Sequence, residues 1–166
     1  RVQVNASAFY YRYRDYQAQY PDLVDGAFAL VTANAARAKL YGAELETRFA
    51  ITPHDHLELN GSWIHARFGD FTYTSILGGF VDHSGQALPN SPSLSADLAY
   101  DHDFVLAGGA KITAHVNSHI TKRYWTTVER SLDSYQPAFT RTDAFLRYQP
   151  ANARWDIPPF VKNLAN

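Results

Sequence analysis

Two histidine pairs have a spacing that could serve a metal site. His115 and His119 are four residues apart in an alternating segment, so both belong on one face, about 13 Å apart at roughly 3.3 Å per residue. That separation is too large for one shared metal ion, and we expect both side chains to form hydrogen bonds instead. His54 and His56 flank Asp55 in a short turn, but no third ligand is near them in the sequence. The sequence therefore predicts a solvated turn there and no metal site.

Three carboxylates could also do chemistry. Asp97, Asp101 and Asp103 fall on one face of one predicted strand. Asp101 and Asp103 are about 7 Å apart, a separation close to that of the two carboxylates of a retaining glycosidase. We favour a structural reading, in which basic residues of neighbouring strands pair with these carboxylates at a few tenths of a kcal/mol per pair. The expected partners are Lys111, Arg123, Arg141 and Arg147.

Other catalytic signatures are missing from the sequence. It has no cysteine, no nucleophile elbow and no phosphate-binding glycine loop. A formal net charge of -1 also gives no reason to expect a nucleic-acid partner. We therefore predict no catalytic residue and no cofactor, and a protein that is not an enzyme.

The elements that carry these residues alternate with a period of two, which predicts β-strands with one apolar and one polar face. The clearest strands are 41–51, 94–104 and 110–121. Strands are also predicted at 3–19, 57–69, 138–149 and 154–164, although Pro158 and Pro159 interrupt the last one because proline cannot donate to a ladder. The prediction is an all-β, antiparallel up-and-down meander of about seven strands.

The lengths of the connections indicate the kind of sheet. Tight turns are predicted at 52–56, around 108–109 and at 150–153, and they alternate with longer connections at 20–27, 70–92 and 127–137. Long loops at one rim and short turns at the other are typical of an outer-membrane barrel. The strands also reach the roughly 9 to 11 residues that a tilted membrane crossing needs, whereas no apolar run approaches the roughly 20 residues of a membrane helix.

In such a barrel the apolar face contacts lipid and the charged face lines the interior. The charges expected inside are Glu44, Glu46, Arg48, Asp97, Asp101 and Lys111. Aromatic residues near strand ends are expected to form a girdle at the lipid boundary, and these are Tyr10, Tyr11, Tyr13, Tyr124 and Trp125. Loops on a rigid scaffold usually carry recognition, so the predicted ligand contacts are Phe71, Tyr73, Phe80, Asp82 and His83.

A family resemblance adds to this interpretation. The segment from Ala36 to Glu46 resembles a strand of TonB-dependent outer-membrane receptors, in which a glycine (here Gly42) is followed by an acidic-apolar-acidic triplet (here Glu44-Leu45-Glu46). The order of later segments is also similar to that of the family, namely the Thr52-Pro53 turn, 57–62, 85–88 with 89–92, 154–157 and 161–164. Nearly the whole chain is covered by the resemblance.

The resemblance implies a barrel of about 22 strands, closed by an N-terminal plug, in the outer membrane of a Gram-negative bacterium. Residues 1–166 are then expected to form the C-terminal portion of that barrel, without the plug or the last strand. The implied function is active uptake of a scarce ligand, a ferric siderophore, cobalamin or an oligosaccharide, energised through TonB. The implied partners are outer-membrane lipid, the ligand, and TonB through the missing N-terminal part.

Two other interpretations stay open at this point. A passive pore or adhesin built on another outer-membrane barrel would share the two-faced strands but lack a plug. A soluble all-β module that binds carbohydrate would instead bury its apolar faces between two stacked sheets.

Overall fold

The computed structural model describes residues 1–74, 79–152 and 154–164. Residues 75–78 of the predicted second long connection and residue 153 of the predicted last turn lie outside these ranges. The strands are β1 (Val2–Val24), β2 (Ala27–Ala50), β3 (Asp55–Phe68), β4 (Thr72–Thr74), β5 (Phe80–Asp82), β6 (Leu94–Val105), β7 (Lys111–Thr121), β8 (Tyr124–Trp125), β9 (Tyr135–Gln136), β10 (Phe139–Gln149) and β11 (Phe160–Val161). One turn of 3-10 helix, Leu132–Ser134, precedes β9.

Seven strands form one sheet in the order β1-β2-β3-β6-β7-β10-β11, and every neighbouring pair is antiparallel. Two small hairpins, β4-β5 and β8-β9, lie inside the long connections and complete the strand pairing. The predicted all-β meander is confirmed. Among the described residues, no helix has the length and apolar character to cross a bilayer.

The sheet has one apolar and one polar face, as the alternation predicts. The register places Tyr100 opposite Val116, and Val116 opposite Ala144, on the apolar face. Leu98 is 46% exposed and Val116 is 39% exposed, because no second sheet packs against this face within the described ranges. A soluble sandwich would bury these side chains, so the single exposed layer is the geometry of a wall that faces lipid.

The predicted loop at 20–27 is wrong. In the structure β1 and β2 stay paired to Val24 opposite Ala27, and the chain reverses in a two-residue turn at Asp25 and Gly26, with φ of 52° and 81°. Two consecutive positive φ values with the sequence Asp-Gly are the signature of a type I′ hairpin turn. Pro21, Asp22, Asp25 and Gly26 are all turn-forming residue types, but only Asp25 and Gly26 form the turn in the structure.

The predicted last strand, 154–164, is much shorter in the structure. Only Phe160–Val161 is a strand, although the preceding segment still accepts hydrogen bonds from β10. The amides of Leu146 and Tyr148 donate to the carbonyls of Pro159 and Ile157 at 3.0 and 3.1 Å. Pro158 and Pro159 have no amide hydrogen to donate, so within 157–159 only Ile157 returns a hydrogen bond, from its amide to the Tyr148 carbonyl at 3.1 Å.

A close approach of two strands explains the glycine of the Tyr41-Gly42 segment. Gly42 lies opposite Phe9 on β1 and Ile64 on β3. A Cβ atom built there would be 2.2 Å from the carbonyl oxygen of Trp63 and 2.8 Å from the Phe9 ring. Only a residue without a side chain fits beneath the Phe9 ring at this point.

Candidate functional site

A compact apolar cluster forms where the first three strands meet the long connections. The chain between β3 and β6 folds back over the polar-face side of β1 to β3, and a segment of the chain between β8 and β9 joins it. We call this group the loop cluster; its buried members are Ala18, Ala38, Ala66, Phe68, Phe71, Leu88 and Val128. Alanines on the strands leave room for the larger loop side chains, so the long connection is packed onto the sheet.

Aromatic contacts connect the loop cluster to the first hairpin. The rings of Tyr20 and Tyr73 stack with centroids 4.1 Å apart, and Phe68 lies 4.9 Å from Phe71. His83 lies 5.7 Å from the rings of both Phe71 and Tyr73. Such pairs contribute about 0.5 to 1.5 kcal/mol beyond the area they bury.

Hydrogen bonds then fix the position of both long connections. The amide of Leu88 donates to the Ala66 carbonyl at 3.1 Å, and the Arg130 guanidinium donates to the Ala87 carbonyl at 3.0 Å. Burial, with a contribution from nearby Arg67, lowers the pKa of Arg130 below its ordinary value. The two connections therefore behave as one structured unit above the sheet.

The five predicted ligand contacts lie in this unit but differ in accessibility. Phe71 is 2% exposed and His83 is 6% exposed, so both are packed inside the loop cluster. Tyr73 is half-buried against Tyr20. Phe80 is 73% exposed, and Asp82 is exposed beside it. Of the five, only Phe80 and Asp82 are exposed enough for a ligand to reach them readily, and contact with a ligand stays a prediction.

Several ionisable side chains lie in or beside the loop cluster. Hydrogen bonds from Ser84 lower the pKa of Asp82, so this exposed carboxylate keeps its charge below its usual pH range. Burial, with the charge of Glu129, raises the pKa of Tyr73. The Nε2 atom of His83 and one carboxylate oxygen of Glu129 are buried without a hydrogen-bond partner in the described part of the chain. Glu129 comes from the other long connection, and the sequence pattern gave no signal for it.

On the polar face, acid-histidine pairs link β6 to β7. Asp97 is hydrogen-bonded to His119 at 2.8 Å, and Asp101 to His115 at 2.7 Å. The hydrogen-bonding role predicted for both histidines is confirmed. Asp103 forms the predicted ion pair with Lys111 at 3.1 Å, and the Thr113 hydroxyl donates to it at 2.6 Å.

The predicted arginine partners of Asp97 and Asp101 are wrong. Arg141 lies 3.8 Å from Asp143 on its own strand, and Arg147 lies 3.4 Å from Asp156. The register explains the difference, because it places Asp97 directly opposite His119 and Asp101 directly opposite His115. In the sequence, this pairing could have been inferred from the spacing, because the two aspartates and the two histidines are each four residues apart.

These acid-histidine pairs are partly exposed, so we expect a weak coupling. A double-mutant cycle with Asp97→Asn and His119→Gln in the refolded full-length protein should give an interaction free energy below about 1 kcal/mol. The measurement is urea unfolding of the four proteins of the cycle. A coupling of several kcal/mol would mean that this pair is desolvated and essential to the fold.

The turn at His54 and His56 is organised by the carboxylate between them. Asp55 accepts hydrogen bonds from the Tyr100 hydroxyl and His102 Nδ1, both at 2.6 Å, and from the Thr52 hydroxyl. No group of three or more potential metal ligands occurs in the residues that the structure describes. The carboxylate therefore closes the turn through hydrogen bonds.

The predicted aromatic girdle is only partly correct. Tyr10 lies on the apolar face, where its ring stacks on Tyr41 at 6.3 Å, and Tyr41 contacts Trp63 at 5.9 Å. Tyr11 and Tyr13 lie instead on the polar face and are stacked on each other at 6.3 Å. Alternation along β1 requires this separation, because Tyr10 and Tyr11 are consecutive.

The two remaining predicted girdle residues also lie elsewhere. Tyr124 and Trp125 form β8 in the connection between β7 and β10, and Trp125 packs against Tyr135 at 4.9 Å. Neither residue belongs to the seven-stranded sheet. The contact between Trp125 and Tyr135 instead stabilises the small β8-β9 hairpin.

Comparison with known proteins agrees with this geometry. The model of the family described as TonB dependent receptor-like, beta-barrel, matches residues 1–164. Comparison with curated protein sequences found no match.

Solved structures with the same fold include receptors of two organisms. The ferric yersiniabactin uptake receptor FyuA from Yersinia pestis is 19% identical, with a TM-score of 0.74, over 98% of this chain and 22% of that receptor. The siderophore receptor PiuA from Acinetobacter baumannii is 20% identical, with a TM-score of 0.70, over 98% and 22%. BauA, the ferric preacinetobactin receptor of Acinetobacter baumannii, is 18% identical, with a TM-score of 0.67, over 98% and 23%. The chain spans less than a quarter of the length of these receptors, and the likeness at this identity is one of fold.

Proposed function

The chain belongs to the TonB-dependent receptor family through its β-barrel, and we propose that it forms the C-terminal portion of a receptor that actively takes up a scarce ligand. The family is located in the outer membrane of Gram-negative bacteria, and its members are transporters rather than enzymes. A ferric siderophore is the ligand class that we favour, because the names of three structural neighbours refer to siderophores or their ferric complexes.

The loop cluster is the observation that carries this proposal. A passive pore needs an open passage, whereas these long connections are packed onto the sheet and display Phe80 and Asp82 to the outside. Recognition residues held on a rigid support bind with less loss of conformational entropy than residues on free loops. A fixed loop platform above a charged interior wall is therefore suited to capture before transport.

Uptake by cells tests the proposal. The full-length receptor, expressed in a Gram-negative strain without its own siderophore receptors, should accumulate radioactive iron from a ferric siderophore panel. Accumulation should disappear when TonB is deleted, because the energy for passage comes from the inner membrane. Accumulation that persists without TonB, together with steady conductance in planar bilayers, would instead identify a passive pore.

Ligand affinity tests the predicted contact residues. We expect Phe80→Ala and Asp82→Asn each to weaken binding of the transported ligand about 10-fold, the usual effect of one good contact of about 1.4 kcal/mol. Equilibrium binding to the purified receptor measures this. Leu132→Ala is a matched control, because Leu132 is 93% exposed in the other long connection. If wild type and both contact variants bind the ligand with equal affinity, the ligand binds at a surface that does not include Phe80 and Asp82.

A further inference from the structure

Five basic residues come together on the apolar-face side of the first three strands. Arg12 lies opposite Lys39, Lys39 lies opposite Arg67, and Arg14 lies opposite Arg37 one pleat further along. We call these residues the rim patch: Arg12, Arg14, Arg37, Lys39 and Arg67. With about 4.8 Å between strands, the first row of three spans about 10 Å.

The neighbours of the rim patch fix its orientation. Arg67 donates to Nε2 of His65 at 3.0 Å, and the His65 ring stacks on Tyr41 at 4.7 Å. Tyr41 belongs to the outward aromatic row with Tyr10 and Trp63. Arg12 and Lys39 are two residues beyond Tyr10 and Tyr41 on the same strands, so alternation places them on this same outward face.

Aromatic rows on the outside of a barrel mark the level at which hydrocarbon gives way to headgroups. The rim patch lies directly beyond this row, toward the long connections. Its side chains are therefore at headgroup level, on the side of the membrane that the long loops occupy.

No acidic side chain among the described residues neutralises the charges of the rim patch. All five side chains are exposed, and none forms an ion pair with another residue in the described part of the chain. Asp15 and Asp70 adjoin the patch in sequence, but neither forms an ion pair with it. Like charges directly opposite each other on paired strands are destabilising, so an external anion would relieve this repulsion.

We propose that the rim patch binds the phosphate groups of a phosphorylated glycolipid in the outer leaflet. Arginine holds phosphate through two parallel hydrogen bonds, and a row about 10 Å wide offers several such forks to one headgroup. The adjoining apolar face contacts the acyl chains of the same lipid, which a free phosphate ion lacks. The inference rests on the outer-membrane location and does not depend on which ligand is transported.

Lipid binding by the purified full-length receptor in detergent tests the inference. The probes are lipid A with its phosphates, the same lipid after removal of its phosphates, and inorganic phosphate. The variant is Arg12→Gln/Arg37→Gln/Lys39→Gln, which leaves Arg67 in place because Arg67 also donates to the Gly85 carbonyl. A matched control, Arg48→Gln/Arg141→Gln/Arg147→Gln, removes the same charge from the polar face.

Each cation near an anionic membrane surface contributes about 1 kcal/mol, so the loss of three cations lowers the affinity about a hundredfold at low salt. We expect the rim-patch variant to bind phosphorylated lipid A about a hundredfold more weakly than wild type, and the control to bind within about twofold of wild type. Lipid A without phosphates should bind wild type as weakly as the variant binds the intact lipid. The heat-modifiable mobility of each protein on gels verifies that it is folded.

Three outcomes would overturn the inference. Unchanged lipid A affinity in the folded variant would show that the patch is not the binding site. Equal affinity for the lipid without phosphates would assign binding to the acyl chains alone. Displacement of lipid A by inorganic phosphate at matched concentration would identify a site for free anions. None of these results would bear on TonB-dependent uptake, so failure here is distinguishable from failure of the proposed function.

Discussion

Replacing Gly42 by alanine should lower the free energy of unfolding of the full-length receptor by about 3 kcal/mol or more, at the upper end of overpacking effects. The added Cβ would lie 2.2 Å from the Trp63 carbonyl oxygen, a backbone atom that cannot rotate away. The β2-β3 ladder would have to open locally, and the Phe9 ring, 2.8 Å from the same point, would have to move. Urea unfolding of the refolded protein, followed by tryptophan fluorescence, measures the loss.

Gly61 on β3 provides the matched control. A Cβ atom at Gly61 would have its nearest neighbour, the Ser95 carbonyl oxygen, at 3.7 Å, which is ordinary van der Waals contact. We expect Gly61→Ala to be neutral, or to stabilise the protein by about 0.4 to 1 kcal/mol through the unfolded chain. If both substitutions lower the free energy of unfolding equally, the close approach of the Trp63 carbonyl is not the reason for a glycine at position 42.

Truncating Phe71 to alanine should cost about 3 to 5 kcal/mol in the stability of the loop cluster. Phe71 is 2% exposed and contacts Phe68, Tyr73 and His83, so its removal leaves a cavity at the centre of the cluster. The seven-stranded sheet should survive, since its ladder hydrogen bonds do not pass through this side chain. We therefore expect protease added to intact cells to cut the chain between β3 and β6 much faster, while the heat-modifiable mobility of the barrel is retained.

Phe80→Ala is the internal comparison, because it removes the same side chain from an exposed position in the same connection. Protease sensitivity should stay at the wild-type level in this variant, while ligand affinity falls. These results would show that Phe71 holds the loop cluster together, whereas Phe80 contacts the ligand. Rapid proteolysis of the Phe80 variant would instead mean that this side chain also holds the loop in place.

The sequence was sufficient to predict those strands that have an apolar face on one side and a polar face on the other. On 94–104 and 110–121 the alternation depends only on the pleat, and both strands form within one or two residues of the predicted bounds. The extension of β1 beyond residue 19 could not be predicted in the same way, because the consecutive apolar residues Leu23 and Val24 are both exposed and give no alternation of apolar and polar side chains. Its existence depends on pairing with β2, which is not a local property.

The pairing on the polar face required the register. The four-residue spacing of Asp97 and Asp101 matches that of His115 and His119, but only the relative shift of β6 and β7 decides that they meet. The different burial of Phe71 and Phe80 was also beyond the sequence pattern, because both are phenylalanines in one connection. Their roles are set by the alanines of the first three strands, which open a space that only one of them fills.

The first hairpin is far longer than a membrane crossing requires. β1 and β2 contain 23 and 24 residues, against about 9 to 11 for a tilted strand in the bilayer, so about a dozen residues of each strand, some 40 Å, project from the long-connection side. The tight turn at Asp25 and Gly26 is thus an outlying point of the cell surface. Antibodies and bacteriophage tail fibres would meet it before the lipid, and a short epitope inserted there would be readable on living cells.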